Sequence, residues 1–459
     1  MDERIASVNP ATGIVEKEYA PYDSDEVNRR LNAATRAKQA ASLEPAGERR
    51  HKLIAAADLM EAELPTIAAT VTTEMGKTFS QAKGEASKCA AALRFFAEHG
   101  ESMLSPEPNP YDSKSKTVYS PLGTILAIMP WNFPLWQVTR FAAPGLMAGN
   151  VILLKHAPNV PQTALFLENL FMRAGFSEGA FQTLLIKTDQ VGDLIEDVRV
   201  DAVTLTGSER AGSAVASQAG KALKKSVMEL GGSDPFIVMP SCDVAGTARV
   251  ATTARLQNNG QSCIAAKRFI IHDDVYDEFK EAFMEEMSAA TMGDPFAPET
   301  TLGPLVSDQG RRTLHDQVTD ALNHGARALI GAHVPQGAGY YYPATILEGV
   351  TPGMRVYSEE LFGPVAALYR AGSIEEMIRL ANDTPYGLGA SIFTNDETEM
   401  ARFEAGLQAG MVYVNSMVAS APERSFGGIK HSGYGRELGI LGLRELCNAK
   451  TIYRSDTTR

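Results

Sequence analysis

From residue 121 onward the chain alternates between short apolar runs and amphipathic stretches, and that rhythm narrows the possible folds more than any other feature. Runs at 124–129, 151–155, 181–185, 202–206 and 226–230 read as strands. Between them, 135–148, 161–174, 190–198 and 209–222 have helical spacing. Strands alternating with helices imply parallel pairing through crossover connections, and ligands of such sheets bind at the strand carboxyl ends. The rhythm starts again near Asp234. Strands are predicted at 235–239, 268–272, 328–331, 364–369, 391–394 and 412–415, and helices at 243–257, 275–292, 308–324, 374–382 and 396–405. The second series is not a sequence repeat of the first. The fold class is therefore α/β, with two doubly wound, Rossmann-like domains.

The flanking segments differ. Residues 7–15 read as a short strand and turn, and 23–104 as helices at 25–42, 46–63, 67–74 and 79–97. Pro106, Pro108 and Pro110 break that pattern, so 105–120 is expected to be an arm or hairpin with a strand at 116–119. The tail from Phe426 carries a glycine-rich loop, a helix and a strand at 449–453, a natural partner for that arm.

The composition excludes several function classes. A chain of 459 residues with 44% hydrophobic and 21% charged side chains is an ordinary globular protein with ample core. Its net charge of −12 argues against a nucleic-acid or anionic-membrane partner. Cys89, Cys242, Cys263 and Cys447 are far apart, with no CxxC pair and no His/Cys cluster, so no disulfide framework and no metal site is expected. That pattern suits a reducing compartment, and a cytoplasmic location is expected. The start, Met-Asp-Glu-Arg, has no apolar signal region, and no apolar run is long enough to span a membrane.

Chemistry concentrates at a few junctions. Asn258-Asn259-Gly260-Gln261-Ser262-Cys263 places one thiol after a glycine turn, where backbone N–H groups can lower its pKa and expose a nucleophile. A buried, inert cysteine is the alternative on this segment alone. Met129-Pro130-Trp131-Asn132-Phe133-Pro134 ends the first strand. Asn132 is either a rigid amide donor that forms an oxyanion hole with the Cys263 backbone N–H, or an N-cap for the next helix. Thr206-Gly207-Ser208 opens a helix after a strand, a junction at which backbone amides can approach a pyrophosphate, though it is not GxGxxG. Lys155 ends a strand where ribose or phosphates would lie. Glu229-Leu230-Gly231-Gly232 sets a carboxylate between an apolar strand and two glycines, a setting for a raised pKa and general-base work. Glu360 in Glu360-Leu361-Phe362-Gly363-Pro364 could accept hydroxyl hydrogen bonds while Phe362 packs a flat ring.

These motifs occur in one fixed order across about residues 7–453. Together with Asn382-Asp383-Thr384-Pro385-Tyr386-Gly387-Leu388 and Phe426-Gly427-Gly428-Ile429-Lys430-His431-Ser432-Gly433, they resemble the aldehyde dehydrogenase superfamily. The resemblance implies a discontinuous cofactor-binding domain (1–104 and 121–232), a catalytic domain (233–425), and an oligomerisation arm and tail (105–120 and 426–459). It also implies roles. Cys263 attacks an aldehyde carbonyl, Asn132 and the Cys263 amide hold the oxyanion, hydride passes to NAD or NADP, and Glu229 activates the water that hydrolyses the thioester. Lys155 and Glu360 would hold the cofactor riboses, and Pro130, Trp131, Gly207, Ser208, Leu230 and Phe362 would shape the cleft. A homodimer or homotetramer acting on a small aldehyde is expected.

Within the superfamily, 123–138, 153–159 and 229–236 resemble the short bacterial succinate-semialdehyde enzymes. That implies Arg140 as the grip on the substrate's far carboxylate, with Ser420 as a weaker polar contact. Three positions depart from better-known relatives. Gln257 stands where a second carboxylate-binding arginine is found, which opens other ω-carboxylated or aliphatic aldehydes as substrates. Ala265 replaces a second cysteine, so no local disulfide switch is expected. Pro158 replaces a glutamate that would repel a 2′-phosphate, so NADP should be tolerated alongside NAD. A coenzyme-A-acylating enzyme and a non-catalytic binding protein of the same fold remain alternatives. Glu229 opposes the first and the complete set Cys263, Glu229, Asn132 and Lys155 opposes the second.

Overall fold

The structure is a computed structural model that describes residues 4–455. The reading of Met1 to Glu3 therefore lies outside the described residues.

Two sheets carry the architecture. The first has six strands. From one edge they are Phe181–Thr183, Val151–His156, Thr124–Met129, Ala202–Thr206, Lys225–Glu229 and the two-residue Gly433–Tyr434. All pairs are parallel except the last, in which Gly433 lies opposite Glu229. The chain runs outward from Thr124–Met129 to one edge and then returns to Ala202–Thr206 on the other side. That reversal is a topological switch point, and the crevice it opens lies at the carboxyl ends of these two strands.

The second sheet has seven strands, all in parallel pairs except Arg327–Ile330 against Thr345–Glu348. Thr345–Glu348 was not predicted; only four residues long and bounded by Pro343 and Gly349, it offers no periodicity to read. Otherwise the predicted elements form, with shifted ends. The helix expected over 79–97 runs Phe79–Met103, and the strand expected over 116–119 runs Asp112–Pro121.

The arm is a three-stranded antiparallel sheet. Asp112–Pro121 lies between Glu107–Asn109 and the tail strand Cys447–Tyr453. The 7–15 segment instead belongs to a hairpin of Ile5–Val8 and Val15–Tyr19. Among the described residues no helix is long and apolar enough to cross a membrane, and no cluster of potential metal ligands is present.

The helices Phe79–Met103 and Trp136–Ala148 pack together beside the first sheet. Their junction is fixed electrostatically. Glu85 Oε1 accepts the N–H groups of Leu135 and Trp136 at 2.8 and 2.9 Å, and the other carboxylate oxygen meets Lys77 in a fully buried ion pair. Glu85 thereby supplies the cap that Asn132 was expected to provide. Leu135 is the capping residue and no local side chain caps the helix. Glu85→Ala would leave the Lys77 ammonium buried without its partner and two helical N–H groups unmet. It should lower unfolding free energy by about 3–5 kcal/mol, read as a lower denaturant midpoint.

Candidate active site

The crevice at the switch point is a cavity of about 310 Å³. Pro130, Trp131 and Asn132 reach it from the end of Thr124–Met129, and Gly207 and Ser208 from the end of Ala202–Thr206. Leu230 and Gly231 follow the next strand, while Cys263, Glu360 and Phe362 come from the second sheet's side. Trp131 and Phe362 meet edge to face at 5.6 Å. Ser208 caps the Glu209–Lys221 helix by accepting the Ala211 N–H at 3.3 Å. At Gly231 an added Cβ would lie 2.8 Å from Glu360 Oε2, so the floor there is bare backbone. A helix N-terminus, an aromatic wall and a glycine floor at strand ends fit a dinucleotide.

Cys263 stands on the same wall, and the loop that carries it has unusual backbone. Asn258, Asn259 and Gly260 have φ of 57°, 56° and 75°, three successive left-handed residues. Gly260 admits no side chain, since a Cβ would lie 2.3 Å from the Gly363 carbonyl carbon. The next four carbonyls all receive side-chain donors. Arg255 Nη2 donates to Gly260 O at 2.6 Å. Asn132 and Asn258 both donate to Gln261 O, at 3.0 and 2.9 Å. Lys267 Nζ donates to Ser262 O at 3.0 Å and Cys263 O at 2.7 Å. Asn259 ties the loop to Gly76 O and Pro304 O at 3.0 and 2.9 Å. Asn132, which lines the same cavity as Cys263, thus ties one amide hydrogen to the Cys263 loop.

The sequence pattern of the aldehyde dehydrogenase family matches residues 1–452. The chain belongs to that family. It is 51% identical to an aldehyde dehydrogenase of Paenarthrobacter nicotinovorans, over 98% of this chain and 100% of that one. It is 50% identical to a succinate-semialdehyde dehydrogenase [NADP(+)] of Mycobacterium avium, over 98% and 96%. A crystal structure of succinic semialdehyde dehydrogenase from Streptococcus pyogenes, in complex with NADP+, superposes with a TM-score of 0.96 at 38% identity, covering 98% of this chain and 100% of that one.

In this aldehyde dehydrogenase not every predicted residue lies on the cavity wall. Lys155 is buried at the end of Val151–His156. Glu360 is on the wall but engaged, accepting Gly232 N–H at 3.1 Å and lying 3.4 Å from Lys267 Nζ. Glu229 is 2% exposed, and neither carboxyl oxygen has a hydrogen-bond partner. Burial, and then the neighbouring Glu437, push its pKa well above the carboxylate range, against the pull of Arg140 and Arg436. Ser420 lies outside the wall, and its Oγ accepts from Lys88 Nζ at 2.7 Å and Trp136 Nε1 at 3.0 Å.

Two expectations change. Arg140 was expected on a substrate carboxylate. It is instead 1% exposed and ion-paired with Glu437. It also donates to Thr206 Oγ1 at 3.0 Å and lies over the Phe426 ring at 4.5 Å. A ligand carboxylate would have to displace Glu437. No local signal marks Glu437, because its partner Arg140 is remote in the chain. Cys263, expected to have a lowered pKa, is pushed up to about 12. Burial is the largest cause, and Arg140 and Lys267 pull the other way. Cys263 is half-buried on the cavity wall, so its thiolate is poorly solvated there. Lys267 and Arg255 were missed as well. The adjacent cations Lys267-Arg268 open an apolar strand, which could have marked them as buried.

Two outcomes follow. In the cofactor-free enzyme, site-resolved alkylation of Cys263 by iodoacetamide should keep accelerating above pH 10, with no plateau near the ordinary thiol pKa. Gly260→Ala should destabilise the protein by about 2–4 kcal/mol and lose soluble expression, since a side chain there meets backbone and a left-handed φ together.

Proposed function

We propose that this enzyme oxidises succinate semialdehyde, or a closely related ω-carboxylated aldehyde, to the acid with NAD or NADP. The observation that carries this reading is Cys263 and the oriented Asn132 amide on one wall of the strand-end crevice. The names of the relatives support the substrate and NADP.

The geometry suits a sulfur-centred acyl transfer. Cys263 Sγ gives its proton to water in the crevice and forms a bond to the carbonyl carbon, and the oxygen becomes an oxyanion. Asn132 Nδ2–H and the Cys263 N–H are fixed donors for that charge, a preorganised pair that needs no reorganisation during reaction. The bound nicotinamide supplies the acceptor for hydride from the same carbon. What stays on the chain is a Cys263 thioester. Glu229, once ionised, is a carboxylate of raised basicity that takes a proton from water, and the hydroxide adds to the thioester carbon. The C–S bond then breaks, releasing the acid and restoring the thiol.

Pro130, Trp131, Gly207, Ser208, Leu230 and Phe362 would hold the cofactor, with Lys155 and Glu360 on its riboses. Pro158 is half-buried and its carbonyl accepts the Ala6 N–H at 2.9 Å, leaving no carboxylate to oppose a 2′-phosphate. The three-stranded arm would join protomers into a homodimer or homotetramer, and four free cysteines suit a cytoplasmic location.

Cys263→Ala should retain cofactor binding by fluorescence titration yet lose turnover by at least about 1,000-fold; sustained oxidation would remove Cys263 as nucleophile. Glu229→Gln should give a burst of reduced cofactor followed by steady turnover roughly 100- to 10,000-fold slower, with the acyl group on Cys263 visible by mass spectrometry. Pro158→Glu should lower kcat/KM for NADP relative to NAD by about 10- to 100-fold through like-charge repulsion.

A further inference from the structure

A second cavity, of about 230 Å³, backs onto the first. The two share a wall made by one stretch of chain. Asn132 and Gln137 face the cofactor-side cavity, while Phe133 and Trp136, between them in sequence, face this one. On the other side the new cavity is bounded by Gln257 and Asn258, at the start of the loop that ends in Cys263. Asn258 Nδ2 donates to Asn132 O at 2.7 Å, so the wall of this cavity and the mount of the nucleophile are one hydrogen-bonded unit.

One cation lines it. Lys88, on the Phe79–Met103 helix, is half-buried, with Nζ 4.0 Å from the centre of the Trp136 ring and donating to Ser420 Oγ at 2.7 Å. Among the described residues it forms no ion pair. Glu85, one helical turn away on the same cavity, is already matched to Lys77. The ammonium thus has three hydrogens, a neutral hydroxyl and an aromatic face, but no counter-anion. Gln257 supplies an independent sign of a missing ligand, for its Nε2 is buried and has no hydrogen-bond partner. Lys88, which is charged, and Gln257 both line this space, together with the Phe133 and Trp136 rings. Arg140 leaves this role open, since Glu437 already neutralises it.

We propose that Lys88 binds the remote carboxylate of the substrate, with the Gln257 amide as second donor, and so sets the enzyme's preference for ω-carboxylated aldehydes. The inference rests on the proposed function and deepens it by naming the group that recognises the acid end. Phe133 and Trp136 enclose the carbon chain, and Ser420 holds the ammonium in place while keeping its own hydroxyl hydrogen free to donate.

The charge on Lys88 also makes recognition depend on pH. Burial lowers its pKa to about 8. Arg140 on the neighbouring helix and Lys77 in the preceding turn reinforce the shift, while Cys89 and Glu85 on its own helix oppose it. The ammonium is present below that value and lost above it, so the carboxylate loses its counter-charge as the medium becomes more alkaline.

The experiment compares succinate semialdehyde with butanal, a neutral aldehyde of equal carbon number, and reads the ratio of their kcat/KM values. In Lys88→Met, which keeps the length and apolar stem, the ratio should fall about 10- to 100-fold, mostly through KM for the charged substrate. Lys88→Arg should restore most of it. In the unmodified enzyme the same ratio should fall as pH rises through about 8. Equal losses on both aldehydes, an unchanged ratio in Lys88→Met, or a ratio flat across that pH range would overturn the assignment. If the unmodified enzyme shows no preference for the carboxylated aldehyde at any pH, the proposed substrate class itself is wrong and the role of Lys88 falls with it.

Discussion

The carbonyls of Gly260, Gln261, Ser262 and Cys263 all need partners inside the protein, because the left-handed turn before them removes any helical or sheet neighbour. Side chains provide every one, from Arg255, Asn132, Asn258 and Lys267. An unmet buried carbonyl costs on the order of 1–3 kcal/mol, so the loop has one favourable position and the sulfur has one address. The same donors link otherwise separate parts. Asn132 belongs to the first sheet's strand end, Lys267 precedes the second sheet's Arg268–His272 strand, and Asn259 reaches back to Gly76. Cys263 is therefore mounted on both sheets at once.

A second buried cluster sits beside it. Glu229 and Glu437 face one another with Arg140 as their shared counter-charge, all nearly fully buried. Burial raises both carboxyls above their usual range, Glu437 adds to the rise at Glu229, and Arg140 opposes it at each. Glu437 makes the ion contact with Arg140, and Glu229 is the one left without a donor. A carboxyl with no hydrogen bonds to its ionised form is reluctant to lose a proton and quick to regain one.

Much of this was legible in the sequence, for reasons that differ by residue. Strand ends carry local signals: Asn132 between prolines, Gly207 at a strand–helix junction and Cys263 after a glycine turn are each marked by neighbours within a few positions. Their convergence on one cavity follows from the strand-to-helix rhythm. Long-range electrostatics left no such trace. Nothing near Arg140 announces Glu437, and nothing near Cys263 announces that Arg140 opposes the effect of its burial. The N-cap reading of Asn132 failed for the same reason, because a carboxylate from another helix does that work. Thr345–Glu348 escaped because four residues are too few to show a period.

After Met411–Val414, the last strand of the second sheet, the chain returns to the first. Gly433–Tyr434 closes its open edge, Glu437 meets Arg140, and Ser420 meets Lys88 and Trp136. A chain emerging from the ribosome has all the strands that shape the crevice well before it has these closing residues. Until they arrive Arg140 has no anion and the edge strand no neighbour, so the amino-terminal portion cannot reach its final form by itself. Completion of the crevice thereby waits on the synthesis of residues 420–437, and a product cut short before residue 433 would be left with an exposed β-edge and an orphan charge, marks of a chain destined for clearance.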